Sequence, residues 1–193
     1  MTTNILNRRL WSFLASGLLS TGCGEPPAVG PAPPPMTGAT PFMVPPLQRP
    51  PLQAAEVAEL ADDQDIIGIV VNGAARAYST RAMSAMRYHV VNDSIAGASA
   101  TVTYCNRTDC VKVFGLKGAA EPLSLSTAGW SGEELVLALN GKTYPQSSEE
   151  IPLEPLPYQR MNWKEWRELH PETLVFANPV AGVGNATESG GGE

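Results

Sequence analysis

The residue types best suited to ligation, nucleophilic attack or electron transfer sit close together. The chain has 2 His and 3 Cys in 193 residues. One histidine lies in Tyr88-His89-Val90-Val91-Asn92-Asp93, and two cysteines lie in Thr103-Tyr104-Cys105-Asn106-Arg107-Thr108-Asp109-Cys110. His89, Cys105 and Cys110 admit three readings. In the first, Cys105 and Cys110 form a structural disulfide, since cysteines facing across a hairpin mouth satisfy the Cα separation of ~4.4–6.8 Å and an exported chain meets oxidising conditions. In the second, the imidazole and two thiolates bind a zinc or copper ion, with water, Asp109 or a Met completing the shell. An open fourth position would then support Lewis-acid or redox work. The third is a thiol redox pair, for which Arg107 is the cation that lowers a thiol pKa, although no thioredoxin-like βαβ context surrounds it.

Other polar residues are weaker candidates. Arg76 and Tyr78 alternate with alanines and so share one strand face. Arg76 either pairs with Asp93 or lines a site, and a plain surface ion pair explains it equally well. Asp62, Asp63 and Asp65 lack the alternation and closing Glu of a calcium loop and read as a solvated turn. His170 beside Pro171 fits the C-terminal end of a helix dipole. Trp163 and Trp166 stand one helical turn apart, as core residues do. There is no Ser–His–Asp ordering, no phosphate-cradling glycine loop and no zinc-protease helix, so no catalytic or cofactor-binding residue is assigned.

These residues are positioned by short strands. Ile66 to Val71, Asn72-Gly73 and Ala74 to Tyr78 form a hairpin, because Asn and Gly both accept positive φ. Leu135 to Leu139, Asn140-Gly141 and Lys142 to Tyr144 repeat the device. Ala100 to Cys105 alternates as a strand, with Cys110 to Phe114 as its antiparallel return. Leu123 to Ser126 and Thr173 to Ala177 read as strands, Asn92-Asp93 as a turn and Ile151 to Pro157 as a rim loop. Short helices are expected over Ala54 to Leu60, over Thr80 to Arg87 with Thr80 as N-cap, and from a capping box at Asn162-Trp163-Lys164-Glu165 through Leu169. The expected fold class is α+β, mainly antiparallel β, barrel-like or a sheet with hairpins, with two or three short helices.

Before this domain the composition changes. Residues 1–22 read as an export signal: Arg8-Arg9, an apolar Leu10 to Leu19, then small residues. The apolar run is too short to span a ~30 Å hydrocarbon core. Gly22-Cys23 resembles the lipobox of bacterial lipoproteins, which implies lipidation of Cys23 and a membrane partner through an N-terminal lipid anchor. At ~0.8 kcal/mol per buried methylene, two or three acyl chains hold a protein on a membrane. Residues 23–52 form a Pro-rich tether, 53–180 the globular domain and 181–193 a Gly-rich disordered tail. The expected location is the periplasmic or outer-membrane face of a bacterial membrane, with an envelope protein as a further partner. The net charge of -6, without a basic stripe, excludes a nucleic-acid partner.

Four ordered motifs carry a family resemblance: Asn72 to Tyr78, His89 to Asp93, Val102 to Cys105, and Trp163 to Trp166 with Leu169 to Val175. Together they resemble the bacterial and archaeal domain of unknown function 3179 family over about residues 54 to 178. The family pattern has Pro at Ser79, Glu at Val90 and two residues between the cysteines, where Cys105 and Cys110 are separated by four. The resemblance implies the fold and the place of a site, with no reaction attached.

Overall fold

The computed structural model describes residues 43–177. Its first hairpin joins β3 (Asp65–Val71) to β4 (Ala74–Ser79). Asn72 and Gly73 turn it at φ 49° and 81°, the left-handed geometry that a two-residue hairpin turn requires. The Asn72 side chain donates to the Ala96 carbonyl at 3.1 Å. This ties the turn to the next hairpin, β5 (Val90–Ile95) and β6 (Ala98–Cys105).

Three sheets result. The outer sheet runs β12 (Gln159–Asn162), β3, β4, β13 (Leu174–Phe176), β2 (Gln53–Ala54). The middle sheet runs β1 (Leu47–Gln48), β5, β6, β7 (Cys110–Gly115), β11 (Glu154–Pro155). The small sheet runs β10 (Lys142–Pro145), β9 (Leu135–Leu139), β8 (Ser126–Trp130). Pairing is antiparallel except for β1 with β5 and β13 with β4. This is an α+β fold dominated by sheets. The expected barrel does not close, because the strands divide among separate sheets that stack face to face.

Period-two alternation explains the stacking. Ile67, Ile69 and Tyr78 of the outer sheet meet Val91, Ile95, Val102, Tyr104, Val111 and Val113 of the middle sheet in the first core. The intervening residues Val90, Cys105, Cys110 and Phe114 face the other way and meet Leu135, Leu137 and Leu139 of the small sheet. The far side of the outer sheet, through Ile66, Ala77 and Val175, is covered by Trp163 and Trp166 of α2 (Trp163–Leu169). Gly68 is the contact point there, since a Cβ on it would stand 2.3 Å from the Trp166 ring. The middle sheet is therefore buried on both faces.

Several local expectations hold. Asn162 caps α2 by accepting from the Glu165 N–H at 2.8 Å, and Asn140-Gly141 turns β9 into β10. Others are corrected. Residues 54–60 form no helix; β2 pairs with β13 and a turn follows, a short segment being a poor helix nucleus without a packing face. The cap of α1 (Thr80–Met83) is Ser79, which accepts from Ala82, while Thr80 Oγ1 donates to the Asp65 carbonyl. Asn92 and Asp93 lie inside β5 rather than in a turn, and the turn falls at Ala96-Gly97. The strand expected from Leu123 starts at Ser126. Within the Pro-rich stretch, Leu47–Gln48 pairs with Val91 and Asn92. The signal, Cys23 and the Gly-rich tail lie outside the described residues. Among those described, no helix is long and apolar enough to cross a membrane.

Candidate functional site

Cys105 and Cys110 are directly opposed where β6 meets β7, so both side chains fall on the face toward the small sheet. Cys105 is a buried free thiol, so the expected Cys105–Cys110 disulfide is not formed. It packs in the second core among Val90, Phe114, Leu125 and Leu137, as a free buried cysteine does when it acts as a small hydrophobe. Beside it, Gln146 donates through Nε2 to Thr103 Oγ1 at 2.9 Å and to the Cys110 carbonyl at 3.3 Å. Its Oε1 is buried without a partner.

His89 follows the 3-10 turn Met86–Tyr88 and accepts the Tyr104 N–H on its carbonyl at 2.9 Å. Its ring is buried, which holds its pKa below the usual 6.5. The Ser84 backbone and the Asn106 side chain act against that shift, but neither meets hydrogen-bond geometry at the ring, so Nδ1 and Nε2 are both unpartnered. Tyr104, the register neighbour of His89, packs in the first core, whereas Cys105 packs in the second. Among the described residues no group of three His, Cys, Asp or Glu side chains is arranged to hold a metal ion.

Arg76 and Asp93 do pair. Arg76 Nε lies 3.3 Å from Asp93 Oδ2, with both side chains almost fully buried between the outer and middle sheets. Tyr78 OH donates to the same Oδ2 at 2.7 Å, and the Ser94 N–H donates to Oδ1 at 2.7 Å. Burial, reinforced by the Asp93 charge, pushes the Tyr78 phenol well above its ordinary pKa of 10.0. On Arg76, Nε, although ion-paired with Asp93, and Nη1 are buried without a hydrogen bond. Arg76 also lines an open cleft of about 610 Å³ between the β3–β4 turn and the segment from Leu169 to Leu174.

Asp109 belongs to a different cluster. Arg160 of β12 donates through Nη1 to Asp109 Oδ2 at 2.7 Å and through Nη2 to Asp65. Tyr104 OH donates to Asp109 Oδ1 at 3.1 Å. Hydrogen bonding from Arg160 holds the Asp109 carboxyl below its usual 3.8, and burial pushes Tyr104 up to about 12. These contacts clamp the loop between Cys105 and Cys110 to the outer sheet. Arg107, expected as the cation for a thiolate, lies with its guanidinium 4.4 Å from the Trp130 ring centre instead, a cation–π position.

The family described as Protein of unknown function (DUF3179) matches residues 43–183. The chain belongs to this family. No curated protein and no solved structure matches it. In this DUF3179 chain the sequence candidates thus divide among three places: Cys105 and Cys110 on the small-sheet side, Arg76 and Asp93 between the outer and middle sheets, and Asp109 on the loop clamp. Sequence reasoning missed Gln146, Arg160 and Asp65 as partners. Gln146 directly after Pro145 in a polar stretch carries no local sign of burial, and Arg160 meets Asp65 from 95 positions away.

Proposed function

We propose that this DUF3179 chain is an exported, lipid-anchored domain of the bacterial cell envelope that acts by binding a ligand in the cleft beside Arg76. Export and anchoring are supported by Arg8-Arg9, the apolar run after them and the small residue before Cys23. Binding is supported by one observation above the others: Arg76, whose Nε and Nη1 are buried without a hydrogen bond, is among the residues lining an open cleft. A donor left without a hydrogen bond in the interior costs desolvation free energy even when its charge is paired, and native structures seldom keep one without a reason.

A second reading keeps, from the His89, Cys105 and Cys110 set, a zinc or copper site on His89 and the free thiol of Cys105. The observation in its favour is that both His89 ring nitrogens are buried and unpartnered, and burial lowers the ring's pKa, favouring the neutral form that ligates metals. Elemental analysis of the full chain extracted from membranes separates the two. The binding reading expects no stoichiometric zinc or copper. Metal that is bound in the native chain and lost in His89→Ala would replace it with the second reading. Anchoring is tested by Cys23→Ser, which should move the chain from the membrane to the soluble envelope fraction.

A further inference from the structure

We infer that the Asn140-Gly141 turn is a site of spontaneous covalent modification, at which Asn140 converts to aspartate and isoaspartate while the matching Asn72-Gly73 step is spared. The reaction consumes one water and releases one ammonia. The Gly141 backbone nitrogen attacks Asn140 Cγ and closes a five-membered succinimide, and the side-chain amide leaves as ammonia with the proton from that nitrogen. Water then opens the ring at either carbonyl. One opening gives aspartate, and the other reroutes the main chain through Cγ as isoaspartate. Glycine favours the attack because the absence of a Cβ leaves its nitrogen unhindered.

Backbone geometry does not distinguish the two steps. Asn72 and Asn140 stand at φ 49° and 52°, Gly73 and Gly141 at 81° and 77°, and all four residues are exposed. The side chains differ. Asn72 donates to the Ala96 carbonyl at 3.1 Å, so its amide must break that bond before it can swing toward Gly73. The Asn140 side chain makes no hydrogen bond among the described residues. The strands beyond the turns differ as well, and ring closure requires the turn to leave its left-handed conformation. β4 lies between β3 and β13 inside the outer sheet and is largely buried. β10 is an edge strand of 4 residues, exposed at Lys142, Thr143 and Pro145, and exposed edges open locally at low free energy. Isoaspartate lengthens the main chain within a two-residue turn that sets the register of Lys142 on Leu139. The change should therefore loosen β10, whose Tyr144 packs against the second core.

The test holds the full chain in detergent at mildly alkaline pH for weeks, folded and, in parallel, in concentrated urea. Mass spectrometry of the digested chain follows the amide-to-acid mass gain in the peptides carrying Asn72 and Asn140, with aspartate and isoaspartate forms separated by chromatography. In the folded chain Asn140 should convert about fivefold or more faster than Asn72, the factor that one hydrogen bond supplies. In urea, where neither tether nor strand remains, the two rates should converge. Asn140→Gly keeps a turn that accepts positive φ and should remove the mass gain from its peptide. A folded-state rate at Asn72 equal to or above that at Asn140, or a rate ratio unchanged by urea, overturns the inference. So does an Asn140 that stays intact in the folded chain while both steps convert in urea, or a mass gain that persists in Asn140→Gly.

Discussion

The Tyr78 hydroxyl donates to Asp93 Oδ2 at 2.7 Å across the space between the outer and middle sheets. Because Arg76 approaches the same oxygen, one carboxylate neutralises the cation and anchors the phenol. Asp93→Asn should therefore destabilise the domain by about 3–5 kcal/mol, since it leaves Arg76 buried without a counter-charge. Replacing both residues, Arg76→Met with Asp93→Leu, should recover most of that loss. Urea unfolding of the single and double variants measures both, and equal losses in the two would refute the pairing account.

Gly68 offers a steric test. Any side chain at this position collides with the Trp166 ring. Gly68→Ala should cost about 1–3 kcal/mol, the usual penalty of overpacking. A thermal midpoint unchanged from wild type would show that α2 does not press on β3 as described.

Stability should plateau between mildly acidic and alkaline pH. His89 is held below 6.5 by burial, so the unfolded chain takes up that proton first. The contribution of the neutral ring is fully present above 6.5 and declines as pH falls below it, until the folded-state pKa is passed. Asp109, held below 3.8, adds a second loss as pH falls further. At the other end, Tyr104 ionises near 10.0 when unfolded and at about 12 when folded. Stability should therefore fall as pH rises from 10.0 toward 12. Urea midpoints across pH give the profile, and His89→Phe should flatten the limb just below 6.5.

Cys105 should behave as an interior methyl-sized group rather than as a reactive thiol. At 1% exposure it should resist alkylation in the native chain and react only on unfolding, as read by mass spectrometry of the Cys105 peptide. Labelling at the rate of an exposed thiol would contradict its place in the second core.

Removing the Arg160 clamp should loosen a loop more than it unfolds the domain. The Arg160 side chain is 29% exposed, and partly exposed pairs contribute little each, on the order of 1 kcal/mol or less. Arg160→Ala should accordingly speed amide exchange at Asn106, Arg107 and Thr108, with little change in the global midpoint. Unaltered exchange there would mean that the loop holds itself.

Features governed by neighbours in sequence were legible before the structure. The Asn72-Gly73 turn, the Asn162 cap and the inward Trp163–Trp166 pair each follow from residues a few positions apart. Asn92 and Asp93 were misread as a turn because local propensity favours that reading, while the interior satisfies them through distant groups. Asn92 bonds the Leu125 carbonyl and Thr101 Oγ1, and Asp93 bonds Tyr78. The stacking of three sheets escaped for a related reason. Alternation tells which residues share a face, yet β6 is buried on both faces, so its pattern does not reveal a second apolar side. The Cys105–Cys110 opposition was also readable, and it was the bond inferred between the two that failed, because Cys105 is a free thiol packed in the second core.

The two-residue pairing of β1 with β5 has a mechanical meaning. Leu47 and Gln48 meet Val91 and Asn92 in parallel, and just after them the Arg49 N–H bonds the Asn92 carbonyl. Tension arriving along the chain from the N-terminal side is borne first by the Val44 N–H bond to the Thr127 carbonyl and then by these few bonds. They should part before β5 or β6 yields, so the domain can shed its leading strand under load and keep both inner cores closed.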